Sequence, residues 1–254
     1  MSAERNDDVH APASMSARLP SSSASAPRTA DHHALLPDLL ARALPGAAPE
    51  SVNRLTAVAR LKTLGSGELI FRQGEPIPLT LVLHGYGAFR RTTAHGRQLV
   101  FGVAKPGWLF GYSGIGGQLA SVDLVSVTPT MVGLWFGADL RDLLVADPGL
   151  ALSVIDGMGR YVVSISDRLE GFIHQEARGR VLRVLAEYAD LFFSEPPVLP
   201  RTLVSGLVGT SREMTGRVLR ALESEGVLAR VGRTGLRLLD PAALEDGRPS
   251  RADD

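Results

Sequence analysis

No cysteine occurs anywhere in the 254 residues. That excludes disulfides, thiolate metal sites and any cysteine-ligated iron–sulfur cluster. Net charge is absent too, with 27 Lys and Arg against 27 Asp and Glu, so an electrostatic preference has to be local. No apolar run approaches the length of a membrane helix. The N-terminus lacks a basic-then-apolar secretory pattern, and the chain is expected to stay in the cytoplasm. No serine, histidine and carboxylate fall in a nucleophile arrangement, and no phosphate-cradling loop leads into a helix with the lysine it would need. The chain is therefore not read as an enzyme. Its 44% hydrophobic and 21% charged residues are those of a globular protein with a real core, as one large or two small domains.

The most informative stretch is Arg201–Asp240, RTLVSGLVGTSREMTGRVLRALESEGVLARVGRTGLRLLD. Leu203, Leu207 and Val208 give a first short helix its apolar side, and Gly209 suits a sharp turn. Thr210 and Ser211 offer hydroxyls to the next helix, with Glu213 spaced from Thr210 as in a capping box. The second helix is expected to bury Met214, Val218, Leu219 and Leu222. Arg212, Glu213, Thr215, Gly216, Arg217 and Arg220 are left on or near its outer face. Val227–Val231 and Leu236–Leu239 flank a glycine turn, as in a hairpin. The whole reads as a winged helix-turn-helix.

Those outward side chains suit nucleic acid. Arg212 and Arg217 can place guanidinium forks on guanine edges, and Glu213 can accept from a cytosine amino group. Seven arginines against three glutamates between Arg201 and Arg237 leave a local excess of four positive charges, the footprint of a nucleic-acid face. The bland alternative is a solvated amphipathic helix pair.

GLVGTSREMTGRVLRALESEGVL resembles the recognition motif of the Crp/Fnr superfamily of bacterial transcription regulators. It is similar to the catabolite activator branch, reading Arg-Glu-x-x-Gly-Arg where the Fnr branch usually has Glu-x-x-Ser-Arg. The resemblance implies base reading by Arg212, Glu213 and Arg217 and a half-site like TGTGA. Thr210, Ser211, Arg220, Arg230 and Arg233 are the candidate phosphate contacts. The lack of cysteine departs from the Fnr-type oxygen sensors, which depend on an iron–sulfur cluster.

Upstream, residues 1–33 are rich in Ser, Ala and Pro without apolar periodicity. They are expected to be a disordered tail, or partly a mis-called start. His32 and His33 are simplest as solvated residues. Ala34–Leu61 has helical spacing with a break at Pro45-Gly46. Short strands follow at Leu79–Leu83, Gly87–Arg91, Gln98–Val103, Val122–Val127 and Met131–Trp135. GELIFRQGEP, His95-Gly96-Arg97-Gln98 and PGWLFG resemble the β-roll of cyclic-nucleotide-binding domains. His84 and His95 are expected in solvent at hairpin ends rather than as haem ligands.

The pocket departs from that pattern. In the family's cyclic-nucleotide binders a Glu after the Phe-Gly-like turn takes the ribose and a later Arg-Ser or Arg-Thr pair grips the phosphate. Here Gly111 is followed by Tyr112, and no arginine lies between Arg97 and Arg141. An anion needs a cation or a helix N-terminus to offset its desolvation, and Asp123 would repel it. Classical cyclic AMP binding is not expected. Phe110, Gly111, Tyr112, Ser113, Gln118 and Ser121 either line a pocket for another, unknown small-molecule effector or form a packed vestige.

From Leu150 to Ile173 the pattern is one long helix. Ile155, Met158, Val162, Ile165, Leu169 and Phe172 form a sustained stripe, which the resemblance assigns to a dimer interface. A further helix, Gln175–Phe193, leads to Pro196-Pro197.

The expected architecture is α+β: a tail (1–33), a β-roll sensor with flanking helices (34–146), a dimerisation helix and hinge (147–174), a winged helix-turn-helix (175–240) and a loose C-terminal tail (241–254). The expected function is a homodimeric regulator on double-stranded DNA with an inverted-repeat operator. It would have no metal, no membrane association, and RNA polymerase as partner if it activates. The alternative is a sensor module acting through a protein partner.

Overall fold

The computed structural model describes residues 29–93 and 98–247. Two helices, α1 (Thr29–Ala43) and α2 (Pro49–Val58), precede the strands β1 (Arg60–Leu64), β2 (Leu69–Phe71), β3 (Leu79–His84), β4 (Gly87–Thr92), β5 (Gln98–Ala104), β6 (Leu109–Phe110), β7 (Asp123–Ser126) and β8 (Thr130–Trp135). Then come α3 (Gly137–Ala146) and the long α4 (Pro148–His174). The C-terminal part holds α5 (Ala177–Glu187), α6 (Ala189–Phe192), α7 (Val204–Val208), α8 (Arg212–Ser224) and the hairpin β9 (Leu228–Val231) and β10 (Gly235–Leu238).

The first strands form two antiparallel four-stranded sheets, in the orders β1-β8-β3-β6 and β2-β7-β4-β5. Strand alternation explains how they pack. In β3, Leu79, Leu81 and Leu83 face a core shared with Leu36 and Leu40 of α1, Val52 and Leu55 of α2, and Leu150 and Val154 of α4. Val82 points the other way, into the roll, where Ile70, Phe71, Leu124, Val132 and Leu134 meet. Trp135 fastens the helices to this sheet, its buried indole N–H donating to the Leu55 carbonyl at 2.8 Å.

The second sheet is likewise covered on its outer face. Tyr86, Ala88, Val100 and Val103 belong to one buried cluster with Val181, Leu185, Tyr188, Phe192, Val204, Leu207, Leu219 and Leu236 of the C-terminal part. Roll and winged helix thus share apolar surface.

Several sequence expectations need correction. Arg60 and Leu61, expected to end a helix, lie in β1, because pairing with Leu134 and Gly133 of β8 draws them into the sheet. The tail expected to extend to residue 33 is helical from Thr29. The helix expected over Gln175–Phe193 breaks at Tyr188 into α5 and α6. Past Asp240 the chain is not loose throughout: Ala242–Gly247 forms a 3-10 turn that buries Leu244 in the C-terminal core. Residues 1–28, His95 within 94–97, and residues 248–254 lie outside the described residues.

Asp147, between α3 and α4, ties two helix starts together. It accepts from the backbone N–H of Ala48, just before α2, at 2.8 Å and from that of Leu150 in α4 at 3.1 Å. Gly46 and Gly149 touch beside it, since a Cβ on Gly149 would sit 2.0 Å from the Gly46 carbonyl oxygen. Hydrogen bonds from Ser51 and from these backbone groups hold the Asp147 carboxyl below the usual aspartate range. A carboxylate depressed on folding stabilises the fold above its unfolded pKa and loses that effect as pH falls through the folded value. Asp147→Asn is therefore expected to lower the melting temperature at neutral pH. The deficit should shrink as pH drops below the ordinary aspartate range, as read by calorimetry across a pH series.

Candidate nucleic-acid interface and effector pocket

The winged helix is built around α8. Gly209 ends α7 with φ +69°, a left-handed conformation that a Cβ disfavours. Ser211 is the N-cap of α8, and its hydroxyl accepts from the Met214 N–H at 3.1 Å. This corrects the expected capping box. Glu213 does not reach back; its carboxylate takes the Arg217 guanidinium at 2.9 Å, one turn along. Such an exposed i,i+4 pair contributes only about 0.3–0.5 kcal/mol, so it opens at little cost.

With the cap at Ser211, the inner side of α8 is set by Thr215, Leu219 and Leu222, all buried. Thr215, expected outside, is inside, its hydroxyl 2.8 Å from that of Thr210. Met214, expected in the core, is 37% exposed, and Val218 is only partly buried. The two exchanged roles because Thr210 offers Thr215 a polar partner, whereas Met214 falls at the solvent edge of the first turn.

Arg212, Glu213, Arg217 and Arg220 are all exposed. At about 100° per residue these four and Gly216 fall within an arc of about 140°. A Cβ on Gly216 would meet nothing within 4 Å, so the middle of this face is low and open. The electrostatics are more one-sided than the sequence count suggests. Glu225 is turned to α5, where Arg178 grips it with two bonds of 3.0 and 2.6 Å. Glu223 is half-buried. On the outer face of α8 the arginines are then opposed by Glu213.

The candidate phosphate contacts divide. Arg230 and Arg233 are exposed on the wing, which the Arg201 N–H holds by donating to the Thr234 carbonyl at 2.8 Å. Ser211 is exposed, with its hydroxyl used as the cap, while Thr210 is half-buried against Thr215. Arg237, exposed on β10, pairs with Glu195 at 3.1 Å.

The six candidate effector residues do not surround one cavity. Phe110 is in the roll core, edge-on to Phe89 with centroids 4.9 Å apart. Gly111, at φ +86°, leads into a 3-10 turn over Tyr112–Gly116. Tyr112 turns toward α4, and a Cβ on Gly157 would sit 2.4 Å from its phenol oxygen. Burial pushes that phenol up, with Arg160 pulling it partly back. Ser113, Gln118 and Ser121 are exposed. Gln118 alone of the six lines a cleft of about 530 Å³, among Ile77, Ile115, Leu119, Phe136 and Arg141. Arg141, absent from any motif, arrives there from α3 and donates to the Ile115 carbonyl at 3.4 Å. Its distance in sequence from the glycine turn hid it.

On α4, Ile155, Val162 and Leu169 are 60%, 62% and 55% exposed, and Met158 and Ile165 are exposed as well. Val154 and Gly157, on the neighbouring side of the helix, are buried. The side chains of Phe172 and His174 lie outside the described residues. His84 is partly buried at the end of β3. Among the described residues no group of three or more His, Cys, Asp or Glu could hold a metal ion, and no helix is long and apolar enough to cross a membrane.

Comparison with known proteins agrees with this layout. The cyclic nucleotide-binding domain family matches residues 61–147, and the Crp-like helix-turn-helix domain family matches residues 179–246. A cyclic AMP receptor protein of Thermus thermophilus is 29% identical over 205 residues, covering 79% of this chain and 94% of that protein. Among solved structures, FixK2 of Bradyrhizobium japonicum is similar with a TM-score of 0.66 at 20% identity, covering 77% of this chain and all of that one. The c-di-GMP-responsive global regulator CLP of Xanthomonas campestris has a TM-score of 0.65 at 23% identity, over 76% of this chain and all of that one. At such identities the likeness is one of fold. With a roll of the cyclic nucleotide-binding domain family, a long connecting helix and a Crp-like helix-turn-helix in that order, the chain belongs to the Crp/Fnr superfamily of DNA-binding transcription regulators.

Proposed function

We propose that the protein binds DNA as a symmetric homodimer and reads an inverted repeat through α8 of each subunit, without a classical cyclic-nucleotide switch. The carrying observation is the exposed trio Arg212, Glu213 and Arg217 on a helix whose opposite side is buried. Guanidinium forks and a carboxylate are the groups that discriminate base edges in the major groove. Arg230 and Arg233, on the wing, carry positive charge to the backbone.

The dimer reading rests on α4. Its stripe faces away from the roll over several turns, and a patch of that extent is costly to leave in water. A second copy of the same stripe, related by a two-fold axis, covers it with like surface. Two recognition helices would then meet the duplex about 34 Å apart.

The effector reading rests on chemistry. The Thermus relative is named for cyclic AMP. In this chain Tyr112 stands where the resemblance expects the ribose-binding Glu, and its ring packs toward α4 rather than lining a cavity. The roll interior is occupied by Phe71, Phe110, Leu124 and Phe89. Arg141 reaches an exposed cleft instead, so any effector is of another kind.

Arg217→Ala is expected to cost about 1–3 kcal/mol on the preferred operator and relax the preference at one base position. Arg230→Ala is expected to weaken all sequences alike and lower the salt slope by about one. Binding to DNA selected from a random pool, titrated at several salt concentrations, separates these. A uniform loss for Arg217→Ala would reassign it to the backbone. Val162→Glu is expected to give a monomer in sedimentation and abolish preference for paired half-sites. Calorimetric titration with cyclic AMP or cyclic GMP is expected to give no binding at micromolar ligand; a saturable isotherm there would contradict the effector reading.

A further inference from the structure

Only Gln175 and Glu176 separate α4 from α5, yet the winged helix does not depend on that tether alone for its placement. The second connection begins at an irregularity in β5. Phe89 pairs with Gly102 and Arg90 with Val100, leaving Phe101 unmatched as a bulge. A bulged residue drops out of the ladder and its polar groups become available to others. The Phe101 carbonyl accepts from Nη1 of Arg168, a residue of α4. At Gly102 a Cβ would lie 2.7 Å from that same Nη1, so the guanidinium comes this close because the strand carries no side chain there.

The other nitrogen of the fork reaches the winged helix. Nη2 of Arg168 donates to Oε1 of Glu187 at 3.0 Å and to the Tyr188 hydroxyl at 3.3 Å. Both residues stand at the end of α5, and Tyr188 is only 2% exposed. Lys105, just past β5, lies 5.4 Å from the Tyr188 ring centre and 3.9 Å from Asp190. Below this polar seam the two parts are in van der Waals contact, for a Cβ on Gly206 in α7 would come within 2.6 Å of Val100.

We propose that Arg168 is a positioning residue: it sets the angle of the DNA-binding domain on α4, and through that angle the separation of the two recognition helices. The inference rests on the reading of α4 as the two-fold helix and of the operator as an inverted repeat. A planar guanidinium with donors in fixed directions holds orientation as well as distance. Its three acceptors come from two bodies that the chain itself joins only at the hinge. The residue that anchors the dimer helix to the roll is thus the same one that grips α5, so a small change there swings α8 as a lever.

The test is an anisotropy titration of the full chain on inverted repeats with constant half-sites and a spacer varied one base pair at a time. The wild type is expected to show an optimum, with affinity falling by about a hundredfold when geometry forbids both halves from engaging. Arg168→Ala is expected to flatten that profile to within about tenfold, with sedimentation still dimeric and single half-site affinity unchanged. Arg168→Lys, which keeps the charge but not the fork, is expected to restore only part of the optimum. An equal loss at every spacing, or an unaltered profile, would overturn the inference while leaving the inverted-repeat reading in place. A wild type without any optimum would overturn both. Should Arg168→Ala fail to fold, Glu187→Gln at the exposed end of the clasp is judged by the same profile, flattened or not.

Discussion

The end of β5, Gly102–Ala104, is buried on both faces, and the extra residue the strand carries decides what lies against each. In a regular strand Val100 and Val103, three apart, would point to opposite sides. The bulge at Phe101 shifts the phase, so that both enter the cluster shared with the winged helix. Ala104 and Phe89 of β4 remain inside the roll. One sheet therefore serves two cores, and the sensor-like and DNA-binding parts meet through packed side chains rather than across water. An interdomain contact of this kind restricts relative motion, where a small polar one would permit it.

Helix α4 has the complementary arrangement, with one side packed and the next left exposed. Leu150, Ser153, Val154 and Gly157 are buried toward the roll and its flanking helices. Gly157 is needed there because Tyr112 lies against the helix surface. The adjoining side carries the apolar stripe to solvent. Further along, Arg168 leaves the packed side and turns to β5 and α5. Packing against the roll, an exposed apolar stripe and the contact with β5 and α5 are thus spread along one rod.

Charge is distributed in a similar way. The chain is neutral overall, yet the outer face of α8 is basic, because Arg212, Arg217 and Arg220 outnumber Glu213 there while Glu225 is turned to α5. Glu225 holds Arg178, and Glu195 holds Arg237 across the fold. Glu213, left outside, is neutralised by Arg217 through a contact that costs little to exchange. A face of this composition exposes cationic donors with less self-repulsion than a cluster of arginines alone would suffer.

Much of this was legible from residues whose neighbours in space are also neighbours in sequence. The turn at Gly209, the hairpin around Gly232, the outward Arg212, Glu213 and Arg217, and the apolar stripe of α4 all follow from short-range periodicity and backbone preference. Where two adjacent residues competed for one local role, the sequence could not arbitrate: Ser211 took the cap from Thr210, and Thr215 took the interior from Met214. The strand identity of Arg60 and Leu61, the bulge at Phe101 and the burial of Leu244 depended on partners tens of residues away. The meeting of Arg168 with Phe101 and Glu187, and of Arg141 with Ile115, likewise needed the assembled fold. Local periodicity determined which elements form and which faces are apolar; only tertiary packing decided which charged side chains reach across them, because long flexible side chains are placed by the surfaces that close around them.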